Sequence, residues 1–177
     1  MRLDPVDLER RLAGFARVRI AVAIGGKGEE SASGRIALDA LRSSLGEAGS
    51  EPLRFPHTRY SLSHTRGVAV AIGLLDTPSR GIGVDLECTR PLPAGAGRFY
   101  LSDRERQRLA AADPLRLWTL KEALFKADLA NASTRLHHYE LRSTDPSSGL
   151  GISRSGALFR YISLELDGGF LSVATAV

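Results

Sequence analysis

The sequence predicts an α+β protein of helices and antiparallel strands in two roughly similar halves. Three observations predict it. Strand-like segments of β-branched and alternating residues follow one another through short turns, Asp167-Gly168-Gly169 the clearest, which favours antiparallel pairing over strand–helix–strand alternation. Helical segments with apolar residues three and four apart stand between those strand groups. The order of helices then antiparallel strands recurs along the chain, and 177 residues suffice for one domain or two small ones sharing a core.

Asp4-Pro5 reads as an N-cap with proline at the first helical position, opening a short helix that Gly14 can close. Residues 18–24 (VRIAVAI) read as a strand broken by Gly25-Gly26-Lys27-Gly28. That glycine-rich turn lacks the spacing of a P-loop; it reads as a turn in which Lys27 can meet a ligand phosphate. Residues 31–45 carry Ile36, Leu38, Leu41 and Leu45 at helical spacing, with Gly46 as C-cap. Residues 49–60 are loop-like. Residues 61–75 form one long strand or a pair, residues 76–81 a turn, and residues 82–87 another strand. After a loop at 91–97, Ser102 and Glu105 fit a capping box for a helix over 103–112. Asp113-Pro114 repeats the cap-plus-proline signal and opens a helix to about 129. Residues 131–138 are polar loop, and 139–142, 158–166 and 170–177 are strands.

Hydrophobic residues make up 43% and charged residues 25%, ordinary for a globular protein. No apolar run approaches the ~20 residues of a membrane span, and the N-terminus lacks a secretory apolar segment. Cys88 is the only cysteine and makes no internal disulfide; a cytoplasmic location is expected. The net charge of +4 favours acidic partners. Of the basic residues 21 are arginine and three are lysine, Lys27, Lys121 and Lys126. Nucleotide composition explains such a bias, yet the two lysines five residues apart stand where an arginine fork would not serve equally.

Asp85 and Glu87 lie at i and i+2, so on a strand they share one face while Ile82, Val84 and Leu86 take the other. At about 5 Å and an effective dielectric of about 20 two such carboxylates repel by roughly 3 kcal/mol. A solvated strand face tolerates this; a hard divalent cation, Mg²⁺ or Mn²⁺, removes it. On the helix from Pro114, residues Leu117, Leu120, Leu124 and Ala127 form the core stripe. Trp118, Glu122 and Lys126 follow at i, i+4 and i+8 along another face, flanked by Lys121 and Phe125. Glu122 and Lys126 read either as an i, i+4 surface ion pair alone or as a carboxylate and a compact ammonium that suits a phosphate. In Ser61-Leu62-Ser63-His64-Thr65-Arg66 the hydroxyls, histidine and arginine serve either the fold or a phosphate. His137-His138 lacks metal-ligand partners.

Ser-Leu-Ser-His-Thr (61–65), Gly-Val-Asp-Leu-Glu (83–87) and Trp-Thr-Leu-Lys-Glu-Ala-Leu-Phe-Lys (118–126), in this order, resemble the three motifs of the 4′-phosphopantetheinyl transferase superfamily, surfactin-synthetase type. Gly34-Arg35-Ile36-Ala37 and Arg98-Phe99-Tyr100-Leu101-Ser102 with Glu105 extend the similarity. The resemblance implies two α+β halves related by a pseudo-two-fold, 1–81 on the side of the coenzyme A 3′-phosphate and 82–177 on the metal-binding and catalytic side, with coenzyme A in the cleft between. It implies Mg²⁺ on Asp85, Glu87 and Glu122, phosphate neutralisation by Lys126 and Lys121, and the 3′-phosphate on Arg35, Ser63 and His64. Glu122 and Lys126 are the implied catalytic pair, and the implied reaction moves phosphopantetheine from coenzyme A to a serine of an acidic acyl or peptidyl carrier protein, releasing 3′,5′-ADP. A monomer is expected, with neither nucleic acid nor membrane as partner. Two departures stand out. Ala127-Asp128-Leu129-Ala130-Asn131-Ala132-Ser133 replaces the family's G-x-G-L-like turn, and Glu51-Pro52 stands for its Lys-Pro. The first motivates an alternative, a catalytically weak relative that binds coenzyme A or a carrier protein. An arginine-rich nucleic-acid binder, the third option, lacks stacking platforms and a recognition motif.

Overall fold

The computed structural model describes residues 1, 3–25, 30–47, 52–75 and 80–177, with backbone alone for 30 and 31. The glycine-rich turn with Lys27, the turn at 76–79 and Glu51 lie outside the described residues.

The first helix, α1 (Pro5–Leu12), starts where Asp4 accepts the Val6 amide. Next come β1 (Val18–Ile24), α2 (Glu30–Ser44), and the hairpin of β2 (Tyr60–Thr65) and β3 (Val68–Leu74). Arg66 and Gly67 turn that hairpin with positive φ at both positions, so the segment at 61–75 is two strands, not one. These strands form a three-stranded antiparallel sheet ordered β1-β3-β2.

After β4 (Ile82–Cys88) come the short helices α3 (Gly97–Tyr100) and α4 (Asp103–Arg108), then the longer α5 (Pro114–Ala127). The Ser102–Glu105 capping box and the Asp113 cap both form. Two short 3₁₀ turns lead to β5 (Tyr139–Leu141), β6 (Ser148–Ser153), β7 (Leu158–Leu166) and β8 (Gly169–Ala176). The second sheet is antiparallel, ordered β4-β8-β7-β6-β5. The chain is thus α+β, with two antiparallel sheets.

One apolar cluster joins the sheets: Leu8 and Leu12 of α1, Ile20 of β1, Val70 and Ile72 of β3, Ile82, Val84 and Leu86 of β4, and Leu171 and Val173 of β8. A second packs α5 on the other face of the larger sheet through Leu117, Leu120, Leu124 and Ala127, the stripe expected from sequence. In α2 the expected stripe is corrected: Ala37 and Leu41 are buried, while Ile36 is 58% exposed. Small residues let this helix lie close to the sheet, with Gly34 against Leu62.

β2 and β4, the facing edges of the two sheets, run parallel and meet through side chains. The Val84 and Leu86 amides donate to the Ser61 and Ser63 hydroxyls at 2.9 and 3.1 Å. Serines two apart on β2 therefore satisfy edge amides of β4 that would otherwise be buried without partners.

Candidate active site

The cavity beside this seam has a volume of about 560 Å³. Its position follows from how tightly α5 lies on β4. A Cβ added at Gly83 would stand 1.9 Å from the Ala123 carbonyl oxygen, so the helix rests on bare strand backbone. That contact faces Trp118, Glu122 and Lys126 of α5 toward Asp85 and Glu87 of β4, and all five line the cavity. Ser63 and His64 of β2 line it from the other sheet, with Phe55, Phe125 and Asn131 as further walls.

Asp85 is 6% exposed, so its strand face is buried rather than solvated. Its Oδ1 accepts from Lys126 Nζ at 2.7 Å and from Ser63 Oγ at 2.9 Å. Lys126 Nζ also donates to the Val84 carbonyl at 3.1 Å. Asp85 Oδ2 is buried and has no partner. Glu87 accepts from Arg90, Nη2 to Oε1 at 3.0 Å and Nε to Oε2 at 3.4 Å, and from Thr65 Oγ1 at 3.2 Å. The Glu122 carboxyl has its pKa raised above the ordinary 4.5, by burial first and then by the charge of Asp85. Lys126 opposes that rise and Glu87 adds to it.

Two residues depart from their expected places, and a third is in place but engaged within the protein. Lys121 is fully buried: its ammonium donates to Glu105 Oε1 at 2.6 Å and to the Tyr139 carbonyl, away from the cavity. Burial lowers its pKa and Glu105 opposes that, so it is a buried structural cation and not a phosphate ligand. Its i+4 spacing from Leu117 and i−3 spacing from Leu124 put it on the core stripe, the signal that would have located it. Arg35 is exposed on α2 and is not among the side chains that line the cavity. Ser63 lines it, but its one hydroxyl proton is committed to Asp85 and its oxygen to the Leu86 amide.

Three carboxylates and a lysine around one cavity, with His64 the one histidine and no cysteine among the described residues that line it, suit a hard cation and a phosphate-bearing ligand. Residues 81–167 match the family model of the 4′-phosphopantetheinyl transferase superfamily. No curated protein matches the chain. The phosphopantetheinyl transferase match contains Asp85, Glu87, Glu122 and Lys126 and leaves Arg35, Ser63 and His64 outside. It supports the superfamily, whose members transfer phosphopantetheine and act on coenzyme A and carrier proteins. Among the described residues no helix is long and apolar enough to cross a membrane.

A cation fits this cavity in donor chemistry: Asp85 Oδ2 is a buried oxygen that needs a partner. The ligands are not drawn into a set, however, for among the described residues no three His, Cys, Asp or Glu side chains are grouped to hold a metal. Lys126 and Arg90 occupy two of the carboxylates instead. Arg90 went unseen in the sequence because it belongs to no motif, and Thr65, the last residue of the first motif, gave no sign of its bond to Glu87. A cation three residues beyond Glu87 was the available signal for Arg90.

Proposed function

We propose that the protein is a phosphopantetheinyl transferase of the surfactin-synthetase type. It moves the 4′-phosphopantetheine group of coenzyme A to a serine hydroxyl of an acidic apo acyl or peptidyl carrier protein and releases 3′,5′-ADP. The observation that carries this is the buried, unpartnered Asp85 Oδ2 in a cavity shared with Glu87, Glu122 and Lys126. Asp85, Glu87 and Glu122 would hold Mg²⁺, or Mn²⁺ in its place, which when bound neutralises charge on the coenzyme A diphosphate.

The serine oxygen bonds to the β-phosphorus as the bond from that phosphorus to the departing 3′,5′-ADP oxygen breaks. Glu122 takes the serine proton, directly or through water; its raised pKa brings it nearer the range of an effective base. Lys126 turns from Asp85 to the diphosphate as a compact cation. His64, exposed at the cavity, receives the 3′-phosphate on the side of residues 1–81, while residues 82–177 supply the metal and catalytic side. The basic chain, expected to act as a cytoplasmic monomer, attracts an acidic carrier.

Mass spectrometry of apo-carrier proteins incubated with enzyme, coenzyme A and Mg²⁺ tests this. The carrier gains the mass of phosphopantetheine on one serine; no gain with any acyl or peptidyl carrier overturns the assignment. A second function, binding without transfer, draws on the pairing of Lys126 and Arg90 with two of the carboxylates. It predicts coenzyme A binding in the same mixtures with no change in carrier mass.

A further inference from the structure

Arg90 stands between two cavities. Its guanidinium grips Glu87, a wall of the site cavity, by two nitrogens, and Arg90 itself lines a second cavity bounded by Leu92, Tyr100 and Leu115. The Arg90 side chain is 33% exposed and that of Glu87 17%, so the pair is shielded from water more than a free surface ion pair. Thr65 Oγ1 and Arg90 Nε share Glu87 Oε2, and Arg90 Nη2 takes Oε1, so both carboxylate oxygens are engaged. Asp85 reinforces the positive charge on Arg90. Lys126 holds Asp85 in the same way, but through one oxygen only, leaving Oδ2 without a partner. Glu87 has no such spare oxygen.

We propose that Arg90 is the built-in competitor of the divalent cation for Glu87. This rests on the proposal that Asp85, Glu87 and Glu122 hold a cation. Glu87 cannot chelate a cation through both oxygens while both face the guanidinium fork, because three of its about four lone-pair positions are already taken. Loading the site therefore parts Arg90 from Glu87 and turns it toward the second cavity, whose wall it already forms. Linkage makes the exchange reciprocal: whatever draws Arg90 off Glu87 strengthens cation binding, and the cation frees Arg90. Arg90 thereby keeps the carboxylate neutralised until the cation arrives, and lowers the affinity for it.

The test is Mn²⁺ binding to the full chain without coenzyme A or carrier, by electron paramagnetic resonance of free Mn²⁺. Arg90→Gln removes the competitor and binds Mn²⁺ about fivefold tighter than wild type, the scale of a partly exposed bidentate pair. Arg90→Lys keeps the charge, loses the fork and falls between the two. Arg98→Gln makes the same charge change at an exposed arginine of the following segment and binds as wild type. Unchanged or weaker binding in Arg90→Gln overturns the proposal. Arg90→Lys equal to wild type also overturns it, because charge at a distance then suffices. Asp85→Asn separates the two levels. If it abolishes Mn²⁺ binding, the cation site stands and the arginine variants decide the competition. If binding survives, the cation site falls and the competition with it.

Discussion

Two lysine–carboxylate pairs on one helix, five residues apart, have nearly the same length and opposite characters. Lys121 meets Glu105 at 2.6 Å, and Lys126 meets Asp85 at 2.7 Å. Around the first every side-chain oxygen of the carboxylate is satisfied twice over, and the ammonium has two acceptors. Glu105 Oε1 accepts from Lys121 and the Leu141 amide, Oε2 accepts from the Ser102 amide and hydroxyl, and Lys121 also reaches the Tyr139 carbonyl. Around the second, Asp85 Oδ2 is unpartnered and the Lys126 side chain remains 28% exposed. A closed set of partners locks α5 to α4 and β5. An open set leaves charge available to a ligand. Saturation, more than burial or distance, separates the structural pair from the one proposed to meet a ligand.

The sharpest way to break this contrast is Asp85→Ala. Transfer falls by about a hundredfold to a thousandfold or more while circular dichroism and the melting temperature stay near wild type. Wild-type rates at limiting Mg²⁺ would show that the open pair is ornamental. Lys121→Ala should do the reverse, costing about 3–5 kcal/mol in urea unfolding because Glu105 is left buried and charged. Transfer by the folded fraction stays near wild type; a selective loss of kcat would make Lys121 a site residue after all. Lys126→Arg tests whether a compact ammonium matters: kcat/KM for coenzyme A should drop about tenfold, roughly 1.4 kcal/mol. An unchanged value removes the case for lysine.

The smallest effect is expected from Glu122→Gln in metal-free protein. Because the folded carboxyl binds its proton more tightly than the ordinary 4.5, native protein holds more protons than unfolded between that value and the raised one. Stability contributed at this position is lost as pH rises through that window. The glutamine variant should therefore melt higher than wild type at about pH 7 and alike below about pH 4. A lower melting point of the variant at neutral pH would mean that the charge is stabilised and not strained.

What was legible in the sequence is what short-range chemistry dictates. Asp4-Pro5, the Ser102–Glu105 box, Asp113-Pro114 and the Asp167-Gly168 turn act within four residues, and each formed as expected. The i, i+2 pair on β4 and the i, i+4, i+8 set on α5 also appeared where periodicity put them, on one cavity. β6 was missed because its glycines are poor strand formers. A Cβ on Gly151 would come within 2.9 Å of the Leu124 side chain, and one on Gly149 within 2.9 Å of the Tyr161 hydroxyl, so packing selects those glycines. Which cation serves which carboxylate was equally hidden, since Arg90, Lys121 and Lys126 differ in their surroundings and not in their charge.

The serine seam has a consequence for how the site keeps its alignment. Its hydrogen bonds repeat every two residues, Ser61 to Val84 and Ser63 to Leu86, with Thr65 next in line. A slip of two residues would offer Leu86 the threonine hydroxyl and Val84 the second serine at little cost in hydrogen bonding. The seam is thus a ruler with identical marks, and it cannot say which mark is zero. That origin is set by the apolar cluster both sheets share, where Leu12, Ile72 and Leu171 fit in one alignment. Shaving a methyl group from that cluster, far from any carboxylate, would blur the calibration of Ser63 against Asp85 before it unfolded the chain.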